Sequence, residues 1–326
     1  MIDIFGTLGP ACANANTLET MLRRGMTGVR LNLSHVTLTQ SAAWVSALHE
    51  AGGRCGVKPK LLIDMQGPEL RIGALKDPME LAEGGTISFG ADGIPVADEI
   101  LAALKPGQDV LLDDGKLLLK MRDDGTADVL RGGVLQSRKS IALPGVTLQL
   151  PALTETDLKN IAVAAEYGVT GLMQPFVRSR EDLIAVRAAL RAAGAADVQL
   201  YAKIENQTGL QALPELVDAA DEIVIARGDL GNAVALWDLP GVQKRIAKTC
   251  RASYKPFMVV TQMLASMEHS PIPTRAEVSD IFNAILDGAT SVMVTGETAV
   301  GEYPVETILY LTETVQAAER YLGIGG

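Results

Sequence analysis

Cysteine is scarce in this chain of 326 residues, with three in all. Cys12, Cys55 and Cys250 lie far apart and show no paired ligand spacing, which argues against a disulfide framework or a zinc site and for reduced thiols. Aromatic residues are only 4% of a composition that is 48% hydrophobic, so Ala, Val, Leu and Ile must fill the core. Positive charge is in deficit, with 29 Lys and Arg against 39 Asp and Glu and a formal net charge of −10. A surface of that sign argues against nucleic acid or an anionic membrane as the main partner, although a local cationic pocket for a phosphorylated small molecule stays open. No apolar run is long enough to span a membrane, and no signal peptide precedes the first strand-like run. The expectation is a soluble, cytoplasmic, enzyme-like protein of one large or two ordinary domains.

Short β-rich apolar runs alternate with longer helical patterns, the signature of parallel βα units. Eight such runs cover 4–9, 28–34, 60–66, 171–177, 199–206, 222–229, 257–264 and 291–297. Helical patterns include 18–24, 37–51, 180–193, 212–220, 241–251, 275–287 and 305–321. Start signals stand at Thr154-Glu155-Thr156-Asp157 and Pro273-Thr274-Arg275-Ala276-Glu277, and stop signals at Gly25, Gly168 and Gly288. The third run is the exception. After it come short alternating strands with turns at Glu83-Gly84-Gly85, Asp92-Gly93, Asp114-Gly115 and Asp124-Gly125, persisting to Leu143-Pro144-Gly145. The economical reading is an α/β protein, a (β/α)8 TIM barrel over 1–67 and 144–326, with a small β-rich lid domain over 68–143 inserted after strand 3.

The runs end in polar residues: Asn32 and Ser34, Asp64, Gln174, Lys203 and Glu205, Asp229, Thr261, and Thr295 and Glu297. In a closed parallel barrel such tips converge on the face that carries the chemistry. Polar tips would also suit an open, doubly wound sheet.

Lys203 and Glu205 sit two residues apart, on one face of a strand. With Asp229 on the next run they make a hard two-carboxylate site suited to Mg²⁺, beside a cation able to hold an anionic transition state. An ion pair that merely closes a barrel end is the plainer alternative. Arg227-Gly228-Asp229 spells a cell-adhesion tripeptide, but its apolar strand context speaks against that use, and the Gly228 backbone can approach a ligand closely. Arg30, Asn32 and Ser34 share a strand face, and a guanidinium among oxygen donors suits a phosphoryl group. Alternation alone shows no more than a half-buried strand, and His35 by itself reads as a structural hydrogen-bonder. Gln66-Gly67-Pro68-Glu69-Leu70-Arg71 fits a stiff hinge, Ser137-Arg138-Lys139-Ser140 a solvated loop, Asp113-Asp114-Gly115 a hairpin turn, and Thr274 with Glu277 a capping box.

In order and spacing these words resemble pyruvate kinases: Thr7–Pro10, Arg30–His35, Asp64–Arg71, Asp113–Gly115, Leu143–Gly145, Lys203–Asn206, Ala226–Gly231, Thr261–Leu264, Pro273–Asp280, Leu286–Ala289 and Gly296–Ala299. The resemblance implies a phosphotransferase using phosphoenolpyruvate and ADP or ATP, with Mg²⁺ on Glu205 and Asp229. It implies that Lys203 steadies the phosphoryl group and the enolate, that Arg30 contacts the phosphate, and that Gly228 and Asp229 meet the substrate carboxylate. Thr261 would lie beside the reacting carbon. Asn32, Ser34, Asp64 and the Met65 carbonyl would hold K⁺, and Asn32, Ser34, His35, Arg71 and Lys139 would face the nucleotide. Glu69 is the residue that K⁺-dependent members of the family carry at this position.

The chain departs from the family pattern at Pro175, where Ser is common, at Val300, where Lys is common, and in a shorter insert. It also stops after the eighth barrel helix, so a short form without the usual C-terminal regulatory domain is expected. Association with copies of itself stays open. Two alternatives remain: a Mg²⁺-dependent lyase or aldolase acting through the enolate of a pyruvate-like substrate, and a non-catalytic barrel. Retention of Arg71 and Lys139 favours the kinase over the first, and retention of Lys203, Glu205 and Asp229 favours it over the second.

Overall fold

The computed structural model describes residues 2–34, 36–146, 148 and 150–324. Contacts divide the chain into two compact units, one of Met1–Gly67, Pro151–Arg227 and Leu239–Gly326, the other of Pro68–Leu150 and Gly228–Asp238. In chain order the strands are β1 (Asp3–Thr7), β2 (Gly28–Asn32), β3 (Lys60–Asp64), β4 (Met79–Leu81), β5 (Thr86–Ser88), β6 (Asp109–Leu112), β7 (Leu117–Met121) and β8 (Thr126–Arg131). They continue with β9 (Gly133–Leu135), β10 (Ile141–Ala142), β11 (Gly171–Gln174), β12 (Gln199–Ile204), β13 (Glu222–Ala226), β14 (Phe257–Val260) and β15 (Ser291–Met293).

In the first unit eight parallel strands close in the order β1-β15-β14-β13-β12-β11-β3-β2, and β2 pairs back with β1. This is a (β/α)8 barrel, and the open-sheet alternative falls. Its interior is plugged by Phe5, Leu62, Met173, Tyr201, Val224, Ala226, Met258, Val260 and Met293, drawn from seven strands. Two glycines make room for that plug. A Cβ on Gly28 would lie 2.7 Å from the Phe5 ring, and one on Gly171 2.5 Å from Leu62 and 2.6 Å from Tyr201.

Strand parity then fixes what stands above the plug. Residues two apart share a face, so Leu62 is followed on the inner face by Asp64, Tyr201 by Lys203, and Gly28 by Arg30 and Asn32. Register brings these rows level, with Asn32 beside Asp64 and Met173 beside both Asp64 and Tyr201.

The outer helices carry the expected signals. Asn14 caps helix Ala15–Arg23 by accepting the Thr17 amide, and reciprocal capping boxes open helices Glu155–Ala162 and Arg275–Leu286. The helix expected at 212–220 is present as Leu213–Ala219, with Pro214 in its first turn, and a short helix that the pattern did not announce, Gln207–Gln211, precedes it.

The second unit follows β3. A five-stranded antiparallel sheet (β10-β6-β7-β8-β5) and a two-stranded ribbon (β4-β9) enclose a separate core of Ile94, Val110, Leu112, Leu119, Ala127 and Leu135. Asp113, Asp114 and Gly115 all have positive φ in the turn joining β6 to β7. The insert also holds a helix the turn signals did not announce, Asp98–Ala103. Leu143, Val146 and Leu148 pack on its core, so the unit runs on to Leu150 where the sequence suggested a crossing after 143. Segment Gly228–Asp238 belongs to it as well, with the Asn232 side chain against Gly115.

Candidate active site

At the C-terminal tips of the barrel strands, Asp64 is bracketed by two cations. The Arg30 Nε and Nη2 reach its Oδ2 at 2.8 and 2.6 Å, and the Lys203 Nζ lies 3.2 and 3.1 Å from its two oxygens. Lys203 is also 2.9 Å from the Oε1 of Glu205. Burial alone would raise the Asp64 pKa. The charges of Lys203 and Arg30 and their hydrogen bonds outweigh it, and the carboxyl is held below its usual range. Arg30, Asp64, Lys203 and Glu205, chosen from sequence, are thus brought together as one ionic cluster above the apolar plug.

Glu205 lies one residue beyond β12 and is itself buried. Its Oε2 accepts the Phe176 amide at 2.9 Å, and Phe176 is left-handed, with φ 51°. Asn206 caps the following helix through the Gly209 amide at 2.7 Å and donates to the Val177 carbonyl at 3.3 Å. The tips of β11 and β12 are therefore tied through consecutive residues. Pro175 packs against Gly67, where a Cβ would lie 2.5 Å from its Cγ.

Asn32 Oδ1 accepts both the amide and the hydroxyl of Ser34, at 3.1 and 2.9 Å. The Leu33 amide donates to the Asp64 carbonyl, and the Met65 amide to Met173. His35 lies outside the described residues.

Thr261 follows β14 with φ 80°, and Gln262 follows it with φ 55°. Left-handed backbone at a β-branched residue is an outlier that costs on the order of 1–3 kcal/mol. Arg227 compensates by donating to the Thr261 carbonyl from Nε and Nη2 at 3.1 and 2.7 Å, while its Nη1 pairs with Asp280 at 2.6 Å. Glu297 holds Leu264 and Thr295 through their amides, at 3.2 and 2.6 Å.

Two of the expected strand tips prove to be helical. Asp229 and Gly228 stand in the first turn of helix Arg227–Ala233, because β13 already ends at Ala226. Glu297 belongs to the short helix Gly296–Ala299. In the second unit Arg71 grips Glu69 through Nε and Nη2 at 3.0 and 2.8 Å and donates to the Arg138 carbonyl, while Lys139 pairs with Asp113 at 2.8 Å. Both cations expected to face a nucleotide therefore hold carboxylates of their own unit.

Among the described residues, no group of three or more His, Cys, Asp or Glu is placed to hold a metal. No described helix is long and apolar enough to cross a membrane. A hollow of about 450 Å³ on the outer helices is lined by Lys244, Lys248, Arg251 and Asp287, with Lys244 pinned to Asp287 at 2.8 Å, and holds none of the strand-tip residues.

The family model for the barrel domain of pyruvate kinase matches residues 1–308. The chain belongs to the pyruvate kinase family. It is 36% identical to a pyruvate kinase of Bacillus licheniformis over 97% of its own length and 57% of that protein's. It is 35% identical to one of Geobacillus stearothermophilus (97% and 56%) and 35% to one of Aeropyrum pernix (98% and 71%). The chain thus spans a little over half the length of the first two. Residues that local patterns did not single out for the site are Asp157, Phe176, Arg227 and Asp280. Arg227 was visible within an adhesion-like tripeptide and the word Ala226–Gly231 but without a role, and Asp157 only as part of a helix start.

Proposed function

We propose that this chain is the catalytic barrel of a pyruvate-kinase-like phosphotransferase moving a phosphoryl group between phosphoenolpyruvate and ADP. The observation that carries this reading is the cluster of Lys203, Arg30, Asp64 and Glu205 on an apolar floor at the strand tips. Phosphoryl transfer needs positioning and charge neutralisation more than covalent help. Arg30 offers a planar fork for phosphate oxygens. Lys203, only 12% exposed at its side chain, offers a fixed ammonium for the charge that develops as the enolate leaves. Asp64 keeps both cations aimed when no substrate is present.

The donor set of Glu205 with Asp229 fits Mg²⁺, since both are hard carboxylates and the nearby Lys203 ammonium marks Glu205 as a place where positive charge is favoured. When bound, Mg²⁺ would neutralise and orient phosphate and enolate oxygens. Asn32, Ser34, Asp64 and the Met65 carbonyl form an oxygen-only set with one fixed charge, which fits K⁺. Asn32, Ser34, His35, Arg71 and Lys139 are proposed for the nucleotide, and Gly228, Asp229 and Thr261 for phosphoenolpyruvate. Gly67-Pro68 would serve as one hinge of the insert acting as a lid.

The test is pyruvate formation from phosphoenolpyruvate and ADP, coupled to a dehydrogenase. Turnover that needs Mg²⁺, and that falls when K⁺ is replaced by a bulky inert cation at equal ionic strength, is expected. No turnover under these conditions, with Mg²⁺-dependent cleavage or aldol chemistry of a 2-oxo acid instead, would replace this reading by the lyase one.

A further inference from the structure

We propose that Arg227, held by Asp280, is a positioning residue that fixes Thr261 in its left-handed conformation and thereby aims the Thr261 side chain at the reacting atoms; this rests on the phosphotransferase reading above. Three observations converge on the pair. The guanidinium bonds the carbonyl of the strained residue itself, with two donors at 3.1 and 2.7 Å. Its third arm is neutralised by Asp280 at 2.6 Å, and its side chain is only 11% exposed, so the fork is held in one orientation. Nη2 also lies 3.0 Å from the Met263 sulfur, so Arg227 touches the loop on both sides of left-handed Gln262.

The same helix holds the far end of that loop. Asp280 stands on helix Arg275–Leu286, whose capping residue Glu277 accepts the amide and hydroxyl of Ser266 at 2.7 and 2.6 Å. Glu297 takes the Leu264 amide between them. A loop that only had to leave a strand and start a turn would relax into ordinary backbone. Instead half-buried Arg227, Asp280 and Glu277 and buried Glu297 hold it in a disfavoured one, the arrangement found where strain serves a site. A 1 Å displacement of a reacting group is enough to cost ~10²-fold in rate. Lysine at 227 keeps the charge for Asp280 but lacks the planar fork that clamps a carbonyl.

The experiment is a double-mutant cycle on the whole chain, with pyruvate formation as the readout. Arg227→Lys should lower kcat by roughly 10²-fold, with KM for phosphoenolpyruvate changed by no more than about two-fold. In a Thr261→Ala background the same substitution should cost nothing further, because its effect runs through Thr261. Wild-type kcat in Arg227→Lys, or losses that multiply in the double variant, would overturn the proposal. Should Arg227→Lys fail to fold, Asp280→Asn enters the same cycle with the same two outcomes. If the wild type turns over no phosphoenolpyruvate, the functional reading falls separately. Crystal structures of wild type and Arg227→Lys then decide, and a Thr261 that keeps φ near 80° without the guanidinium ends the positioning idea.

Discussion

The carboxylate of Asp157 accepts the backbone amide of Gly67, 90 residues earlier in the chain, at 2.9 Å. It also takes the amides of Gln66 and Thr154, each at 2.9 Å. One fully buried side chain thus closes the capping box of the helix that follows the insert and fixes the segment that leaves β3 just beyond Asp64. Alanine there would strip three backbone donors of their acceptor. Asp157→Ala is expected to cost about 2–4 kcal/mol, read as a lower midpoint in urea with an unchanged slope. A loss under about 0.5 kcal/mol, the range of neutral surface changes, would show that water replaces the carboxylate at no cost.

That tie shows where sequence reading stops. The barrel, its eight strands and the convergence of Asp64, Lys203 and Glu205 at the strand tips were legible, because short apolar runs and polar strand tips are local signals. Arg30 was read toward a phosphate, and its pairing with Asp64 was not foreseen. Asp157 was legible as part of a helix start, and Glu277 as a capping residue. Their second partners, Gly67 and Ser266, lie on other segments, and no local period reports them. Asp229 was misplaced for a related reason. The run reads as strand as far as the carboxylate, whereas β13 ends at Ala226 and helix Arg227–Ala233 begins at once, so Gly228 marks a strand-to-helix change and not a strand tip.

Lys203→Met should abolish phosphoryl transfer and leave the barrel folded. Asp64 keeps Arg30 as a partner and Glu205 keeps the Phe176 amide, so neither carboxylate is stranded. Loss of one preorganised charge costs about 10²–10³ in kcat or more. Steady-state turnover beside an unchanged circular dichroism spectrum is the measurement, and near wild-type kcat would take Lys203 out of the mechanism.

Asp64 should sharpen acid unfolding. Its pKa is lowered on folding: burial opposes this, but the charges and hydrogen bonds of Lys203 and Arg30 prevail. The folded state therefore holds its proton less tightly than the unfolded chain does. Its contribution to stability is present above the ordinary value of 3.8 and is lost as pH falls below it. Urea midpoints measured from pH 6 down to pH 3 (about two units above and one below the ordinary Asp value) should fall more steeply in wild type than in Asp64→Asn. Parallel curves would mean that the two cations do not act on Asp64 in solution.

Glu222 should act in the opposite direction, at the other end of the barrel. It opens β13, and Ser291, which opens β15, donates to its carboxylate. Burial pushes its carboxyl from an ordinary 4.5 up to about 7, and Asp3 pushes it further, against the pull of Ser291 and of Lys60. Lys60 is partly spent on Asp3, at 2.5 Å. Because the folded state binds the proton more tightly, Glu222 contributes most to stability below pH 4.5. That contribution is lost as pH rises through the interval up to about 7, and it is constant above. Glu222 as a residue keeps some exposure, so screening reduces the effect to about 1–2 kcal/mol. Glu222→Gln, which keeps an acceptor for Ser291 and removes the titration, should flatten the fall in urea midpoint between pH 5 and pH 8, the interval around the raised value. An equal fall in both proteins would assign the neutral-pH loss of stability to other groups and show that the Glu222 carboxylate is charged at no cost in the fold.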